Sequence, residues 1–351
     1  MASSAVQSLL FISSPRFTRD ARAGSSPVSS KYEISKHLRV SEVDTSSKFQ
    51  FRDQLGLLGN EQKYFPHYVC DDISVDTPDR AEVVQNGISR KICRILGKGS
   101  FGTVIPGKYK GQMIAVKLIS RQKHLISLIS EGNGTKLSHP NIVKILKVVN
   151  SEGSYGMVLM ERNVGINLEE LLQDSSFHWN MEQKLKYALN VADALEYCHA
   201  RHILHLDVKP KNVLFCVKSN ICKLCDFGSS LELDDPHKVL GVTANIRMNT
   251  VCYTAPELFK GEKPSEKADV YSFAITMWQI LSQCVPYEGL ESHSIIYRVV
   301  ANEYRPDIVQ GNSKVEMSSM QLCKYSWRAN PLDRPMMVEL IQELKKCQSL
   351  L

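Results

Sequence analysis

No uninterrupted apolar stretch in this sequence reaches the ~18 residues that a membrane-spanning helix needs. The longest candidate, Phe273 to Leu281, is interrupted by Thr276 and Gln279 and predicts a buried helix. The N-terminus also lacks the apolar core of a secretory signal, so the 10 cysteines are expected as reduced thiols. Charge of one sign is scarce as well. The net +6 is small for 351 residues and is spread along the chain, which argues against nucleic acid or a membrane surface as partner. At 43% hydrophobic and 23% charged, the composition is that of a soluble globular protein. A cytoplasmic monomer is the expectation.

Residues 1 to about 85 are Ser-rich and have little hydrophobic periodicity. Such a stretch buries too little apolar surface to offset its ordering entropy, so 1–85 is read as a mostly disordered extension before a domain at 86–351. Arg16, Arg19 and Arg22, set among serines against Asp20, also fit an organelle transit peptide. Ser14-Pro15, Ser26-Pro27 and Thr77-Pro78 fit proline-directed phosphorylation by a downstream kinase. Phe51 to Tyr68 has aromatics and leucines with which to dock onto the folded domain.

From Ser89 the pattern changes. Ile92, Arg94 and Leu96 lead into Gly97-Lys98-Gly99-Ser100-Phe101-Gly102-Thr103-Val104. Glycines let a backbone bend tightly over phosphates with no side chain in the way. A dinucleotide site would want a helix directly after them. Here Gln112 to Leu118, with Lys117 near its end, predicts another strand instead. Pro106 lacks a ladder donor, so a bulge or an edge is expected there. His124 to Ser130 is apolar enough for a helix. Gly132 and Gly134 follow at once, and glycine costs a helix up to about 1 kcal/mol, so this helix is expected to be short or frayed. Tyr155 to Glu161 reads as a buried strand running into a linker, Arg162 to Gly165.

The second half has helical spacing. Leu168, Leu171 and Leu172 share a face, and so do Leu185, Ala188, Leu189, Ala192 and Leu195. His199, His202 and His205 recur every third residue but pass from helix into loop, which argues against a metal site. Cys222 and Cys225 lie three apart on a strand, so they point to opposite faces; Cys225 is the one placed to face a neighbouring pocket. Asp269 precedes the apolar run from Val270 and stands at a good N-cap position.

Two stretches carry chemistry. His205-Leu206-Asp207-Val208-Lys209-Pro210-Lys211-Asn212 is followed, after a short strand, by Asp226-Phe227-Gly228. A carboxylate can orient a hydroxyl and accept its proton, and Asn and Asp oxygens suit a hard cation such as Mg2+. With the glycine loop, Lys117 and Ala255-Pro256-Glu257 in register, the chain from Ser89 onward resembles the protein kinases. The resemblance implies an α+β, two-lobed fold with ATP and Mg2+ as cofactors. A small antiparallel-sheet N-lobe would span 86–162 and a larger, mostly helical C-lobe 166–351.

It further implies roles. Asp207 would be the catalytic carboxylate, and Lys209, the serine/threonine form of the loop, would steady the moving phosphoryl group. Lys117, paired with Glu131, would hold the α- and β-phosphates; Asn212 and Asp226 would ligate Mg2+. Gly97, Lys98, Gly99, Ser100, Phe101, Gly102, Val104 and Ala115 would surround the nucleotide. Met160 would guard the back of the adenine pocket, and Glu161 and Asn163 would offer backbone groups to its edge. Thr250 would bond Asp207 and Lys209, Asp269 would brace the catalytic loop, and Arg334 would pair with Glu257. Most kinases carry Arg between the His and Asp of the loop, where it grips an activation-segment phosphate. This chain has Leu206, so activity should not require that phosphate, for which Ser229, Ser230, Thr243 and Thr250 are the candidate sites in the segment Asp226 to Glu257.

Within the kinases, His205-Leu206-Asp207, the run Lys267 to Thr276, Pro286-Tyr287-Glu288-Gly289 and Tyr297 to Ala301 resemble the Mos family. That resemblance implies a kinase that phosphorylates a MAP kinase kinase during oocyte meiosis. Val270-Tyr271-Ser272-Phe273 and the Trp327 to Arg334-Pro335 pattern also resemble Raf-like kinases, so a Raf-like or other tyrosine-kinase-like serine/threonine kinase is an alternative, as is a catalytically inactive scaffold with the kinase fold.

Overall fold

The computed structural model describes residues 95–150, 154–233, 251–309, 311 and 313–351 in full, and the backbone of 69–70, 73–74, 81–85, 88–92 and 248–250. Ser14, Ser26, Thr77, Thr243 and the stretch Phe51 to Tyr68 lie outside the described residues.

Among the described residues, the first half of the fold is built from strands. They are β1 (Val69–Cys70), β2 (Ile73–Ser74), β3 (Ala81–Gln85), β4 (Ile88–Ile92), β5 (Gly97–Lys98), β6 (Gly102–Tyr109), β7 (Gln112–Ser120), β8 (Ile145–Val149) and β9 (Tyr155–Glu161). Seven form one antiparallel sheet in the order β1-β2-β6-β7-β9-β8, with β5 also beside β6; β3 and β4 pair apart. Strands β1 to β3 precede residue 86. Backbone pairing such as Ile73 with Tyr109 leaves no trace in composition.

Pro106 makes no bulge. Strands β6 and β7 pair without a register break from Gly102–Ile119 to Tyr109–Gln112. The Val104 carbonyl points to the far side of β6, where it accepts from Leu96 N at 2.8 Å. Pro106, two residues on, faces that same side, between the stretch paired with β5 and the stretch paired with β2. Its missing N–H therefore falls on an edge, the other outcome expected for proline.

Helix α1 (Arg121–Glu131) follows β7. The expected fraying at the glycines does not occur. The helix runs to Glu131, Gly132 keeps right-handed helical backbone, and a 3-10 turn continues from Gly132 to Lys136. The irregularity lies near the start, at His124 (φ −141°, ψ 35°).

The second half is helical. After β10 (Gly165–Asn167) come α2 (Leu168–Gln173) and α3 (Met181–His199), the latter opened by an Asn180–Gln183 capping box. Strands β11 (Ile203–Leu204), β12 (Val213–Cys216), β13 (Ile221–Leu224) and β14 (Leu231–Glu232) form small sheets: β10-β12-β13 and β11-β14. Helices α4 (Pro256–Phe259), α5 (Glu266–Ser282), α6 (Ser292–Ala301), α7 (Lys314–Ser326) and α8 (Met337–Gln348) complete it.

Every residue of α5 from Ala268 to Leu281 is buried, as its apolar run predicts, so this helix is the axis of the core. One apolar cluster joins Leu185 and Leu195 of α3, Phe273 of α5, Met320 of α7 and Leu344 of α8. Arg334, fully buried, makes two 2.7 Å bonds to the Glu257 carboxylate. The two halves meet where Leu224 N donates to Asn141 O (2.7 Å) and Val143 N to Leu224 O (2.9 Å). Among the described residues no helix is long and apolar enough to cross a membrane.

Candidate active site

Strand alternation sorts the sheet residues into two faces. Ile105, Ile114, Val116, Leu118, Met157 and Leu159 pack together on one. Val104 stands opposite Lys117 and Ala115 opposite Met160, so these four share the other face, which turns toward α1 and the helical lobe. The glycine loop precedes β6. A side chain at Gly102 would lie 1.9 Å from the Leu118 carbonyl, so the close strand approach there requires glycine. Lys98, Gly99 and Ser100 are exposed, whereas Phe101 is buried. Its ring centroid is 5.3 Å from Lys117 Nζ and it packs on Gly228.

Lys117 is the hub. Its Nζ donates to Glu131 Oε1 at 2.5 Å and to Asp226 Oδ1 at 2.7 Å. Burial opposes its charge, but the carboxylates of Asp226 and Glu131 outweigh burial and hold Lys117 well above the ordinary lysine range. Burial, together with the nearby Asp226 charge, raises Glu131 against the pull of Lys117. For Asp226, burial is outweighed by Lys117, so this carboxylate is held below its ordinary range and stays charged.

The glycine-bearing turn after α1 explains why Glu131 arrives here. A side chain at Gly134 would meet Ile145 Cδ1 at 2.5 Å and the Phe227 ring at 3.2 Å. The glycine leaves room there for the end of the Ile145 side chain and, less closely, for the Phe227 ring. Asn133, which the sequence reading missed, and Ser230, which it offered only as a candidate phosphosite, are buried and bond across the same junction. A lone Asn between glycines carries no periodic signal.

The catalytic-loop residues converge from the other side. Lys209 Nζ donates to both Asp207 oxygens (2.8 and 2.9 Å). Asn212 Nδ2 donates to Asp207 O and Oδ2, both at 2.8 Å. Leu206 lies in the left-handed region at φ 60°, a conformation that costs a branched side chain about 1–2 kcal/mol. Asp269 holds it there. Its Oδ1 accepts from Leu206 N (2.7 Å), and its Oδ2 from His205 N (2.8 Å), with His199 Nε2 at 2.9 Å. Burial raises the Asp269 carboxyl, but His199 and the loop amide outweigh it and hold the group below its ordinary range. Asp269 is not an N-cap: α5 starts three residues earlier, after Ser265, because Glu266 to Ala268 fit its first turn and Asp269 is turned to the loop. The Leu206 side chain packs, partly buried, against the core.

Met160 and Glu161 end β9. Glu161 N donates to Lys144 O (2.9 Å), and Glu161 Oε1 accepts from Lys144 N (3.0 Å) and Lys223 Nζ (2.7 Å). Burial opposes the Glu161 charge, but Lys223 and the Lys144 amide outweigh it and keep the carboxyl low. Asn163 follows in the linker, half-buried.

The oxygen set suits Mg2+. Asn212 uses its amide nitrogen on Asp207, which leaves Oδ1 for a cation, and Asp226 is a charged carboxylate whose Oδ2 lies beneath Gly99. The repeated histidines diverge: His199 meets Asp269, His205 Nε2 meets Cys225 O at 3.1 Å, and His202 is exposed. Cys225 Sγ donates to Asn212 O at 3.3 Å, beside the site, whereas Cys222 is fully buried. Burial raises both thiols above their ordinary range. Of Thr250 only the backbone is described.

The family model for protein tyrosine and serine/threonine kinases matches residues 91–344. The serine/threonine-protein kinase mos of Patiria pectinifera is 34% identical over 260 residues, covering 72% of this chain and 73% of its own. The Xenopus laevis protein of that name is 33% identical over 267 residues, at 72% and 74% coverage. The proto-oncogene serine/threonine-protein kinase mos of Sus scrofa is 33% identical over 283 residues, at 72% and 79%.

Proposed function

The chain belongs to the protein kinases, among the Mos serine/threonine kinases, and from that premise we propose which protein it modifies and what each site residue does. It is an ATP-dependent protein serine/threonine kinase. Its substrate in this proposal is a MAP kinase kinase, phosphorylated in the cytoplasm by a monomer during meiotic maturation. Residues 86–351 are the catalytic unit and 1–85 an extension to it.

Lys117, oriented by Glu131, binds the α- and β-phosphates. The glycine loop covers the phosphates, with Val104 and Ala115 above the base, Met160 behind it, and the linker at Glu161 and Asn163 along its edge. Asp207 orients the substrate hydroxyl. As the new O–P bond forms and the bond to the bridging oxygen breaks, the hydroxyl proton passes to Asp207 and ADP leaves with the electron pair. Lys209, already on both Asp207 oxygens, steadies the phosphoryl group in transit. Asn212 and Asp226 are the residues that would hold Mg2+, which supplies positive charge against the phosphates.

The observation that carries this reading is the convergence of two chains of polar contacts: Glu131–Lys117–Asp226, and Lys209–Asp207–Asn212. Incubating the purified chain with an inactive MAP kinase kinase and ATP, then mapping modified residues, tests it. Phosphoserine or phosphothreonine on the MAP kinase kinase, with gain of its activity, is expected. Modification of tyrosine only, or of the kinase chain alone, would sink the proposal.

A further inference from the structure

The Glu131–Lys117–Asp226 bridge meets at a single ammonium. The Phe227 backbone also bonds Glu131, and Leu128 of α1 packs on Gly156. A further contact joins the same two segments. It lies two residues beyond Glu131 and four beyond Asp226. Asn133 Nδ2 donates to Ser230 Oγ at 3.0 Å and reaches Ser230 O at 3.4 Å. The Ser230 hydroxyl in turn donates to Ser130 O at 2.9 Å. Asn133 is 1% and Ser230 3% exposed, so water does not substitute for these bonds. By contrast, the neighbouring Lys136–Glu232 pair is half in solvent and contributes little.

Ser230 is itself fixed from below. The next two residues pair with β11, Leu231 with Leu204 and Glu232 with Ile203, and Leu233 N donates to His202 O at 2.8 Å. The end of α1 is thus tied through one serine hydroxyl to the strand that enters the catalytic loop. The residue that would tie this region to an activation-segment phosphate is replaced by Leu206, whose side chain packs on the core.

We propose that Asn133 and Ser230 are positioning residues for phosphoryl transfer: their hydrogen bond clamps α1 to the segment after Asp226 and keeps Glu131 and Asp226 together on Lys117 without an activation-segment phosphate. This inference rests on the assignment of Lys117, Glu131 and Asp226 to nucleotide binding.

The test is a pair of isosteres in the full chain, treated with phosphatase. Ser230→Thr keeps the hydroxyl, whereas Ser230→Val has the same shape without it, so any packing penalty is common to both. Loss of the two buried bonds that this hydroxyl makes, one accepted from Asn133 and one donated to Ser130 O, predicts a kcat/KM for ATP about ten- to a hundredfold lower in Ser230→Val than in Ser230→Thr. Amide hydrogen exchange across residues 121–131 should be faster in the valine variant by a similar factor, with its melting temperature lower by only a few degrees. Asn133→Leu should behave as Ser230→Val, and combining the two should add little. Equal kcat/KM and equal exchange in the threonine and valine variants would overturn the clamp. Failure of the underlying assignment shows separately, as normal turnover by Lys117→Met.

Discussion

Replacing Asp269 by Asn tests how the catalytic loop is held. The carboxylate accepts from three donors: Leu206 N at 2.7 Å, His205 N at 2.8 Å and His199 Nε2 at 2.9 Å. An amide of the same shape offers one oxygen, so an NH2 group must face either the Leu206 amide or the other two donors. Hydrogen bonds to a charged group are worth roughly 1.5–3 kcal/mol, and an unsatisfied buried donor costs roughly 1–3 kcal/mol. A loss of about 3–5 kcal/mol follows, and a domain of this size loses roughly 2–4 °C of melting temperature per kcal/mol, or about 6–20 °C in all. The functional effect has a separate cause. Leu206, at φ 60°, is no longer held by Oδ1, and its relaxation moves Asp207 next to it. Turnover should fall by one to two orders of magnitude, measured at a temperature where the variant is folded. Adding Leu206→Gly should recover part of that loss, because glycine takes this backbone conformation without penalty. The pH dependence has a defined sign. The Asp269 pKa is lowered on folding, so its contribution is complete above the ordinary value of 3.8 and is lost only as pH falls through the lower folded value. The stability gap between wild type and variant should therefore not close as pH falls from 8 to 5. A variant melting within about 2 °C of wild type, with turnover within about twofold, would refute the bracing role, since an ordinary surface substitution has effects of that size.

Lys117→Met and Asp207→Asn should each reduce transfer by roughly two to four orders of magnitude in a radiolabelled ATP assay, whereas His202→Ala, at an exposed position, should leave it unchanged. Phosphatase treatment of active enzyme should leave most activity, because Leu206 cannot pair with a phosphate; loss of most activity both on that treatment and in Thr243→Ala would count against this. Gly134→Ala brings a methyl within 2.5 Å of Ile145 Cδ1 and 3.2 Å of Phe227, and should cost about 1–3 kcal/mol in thermal melts. Ile145→Val removes the nearer atom, so the double variant should regain part of that stability; no recovery would mean that Phe227, not Ile145, bears the clash.

The sequence by itself determined the chemistry: short motifs whose residues are adjacent in the chain, from the glycine loop to His205–Asn212 and Asp226–Gly228, because spacing within a turn or strand fixes which side chains share a place. It also determined the buried α5, whose apolar run is continuous. The glycines after α1 were read in part. The α-helix ends at Glu131, directly before Gly132, as local propensity predicts, but the chain tightens into a 3-10 turn instead of fraying, and Ile145 and Phe227 pack against Gly134. Asp269 looked like a cap because it precedes an apolar run, yet its partners lie 63 and 64 residues back along the chain. The pairing of Lys117 with Glu131 was legible through the family resemblance, but the bond from Lys117 to Asp226 and the bond between Asn133 and Ser230 across 97 residues were decided by tertiary structure alone. Contacts at such separation depend on how the sheet, α1 and the catalytic loop stack, and no periodicity within one element encodes the packing between elements.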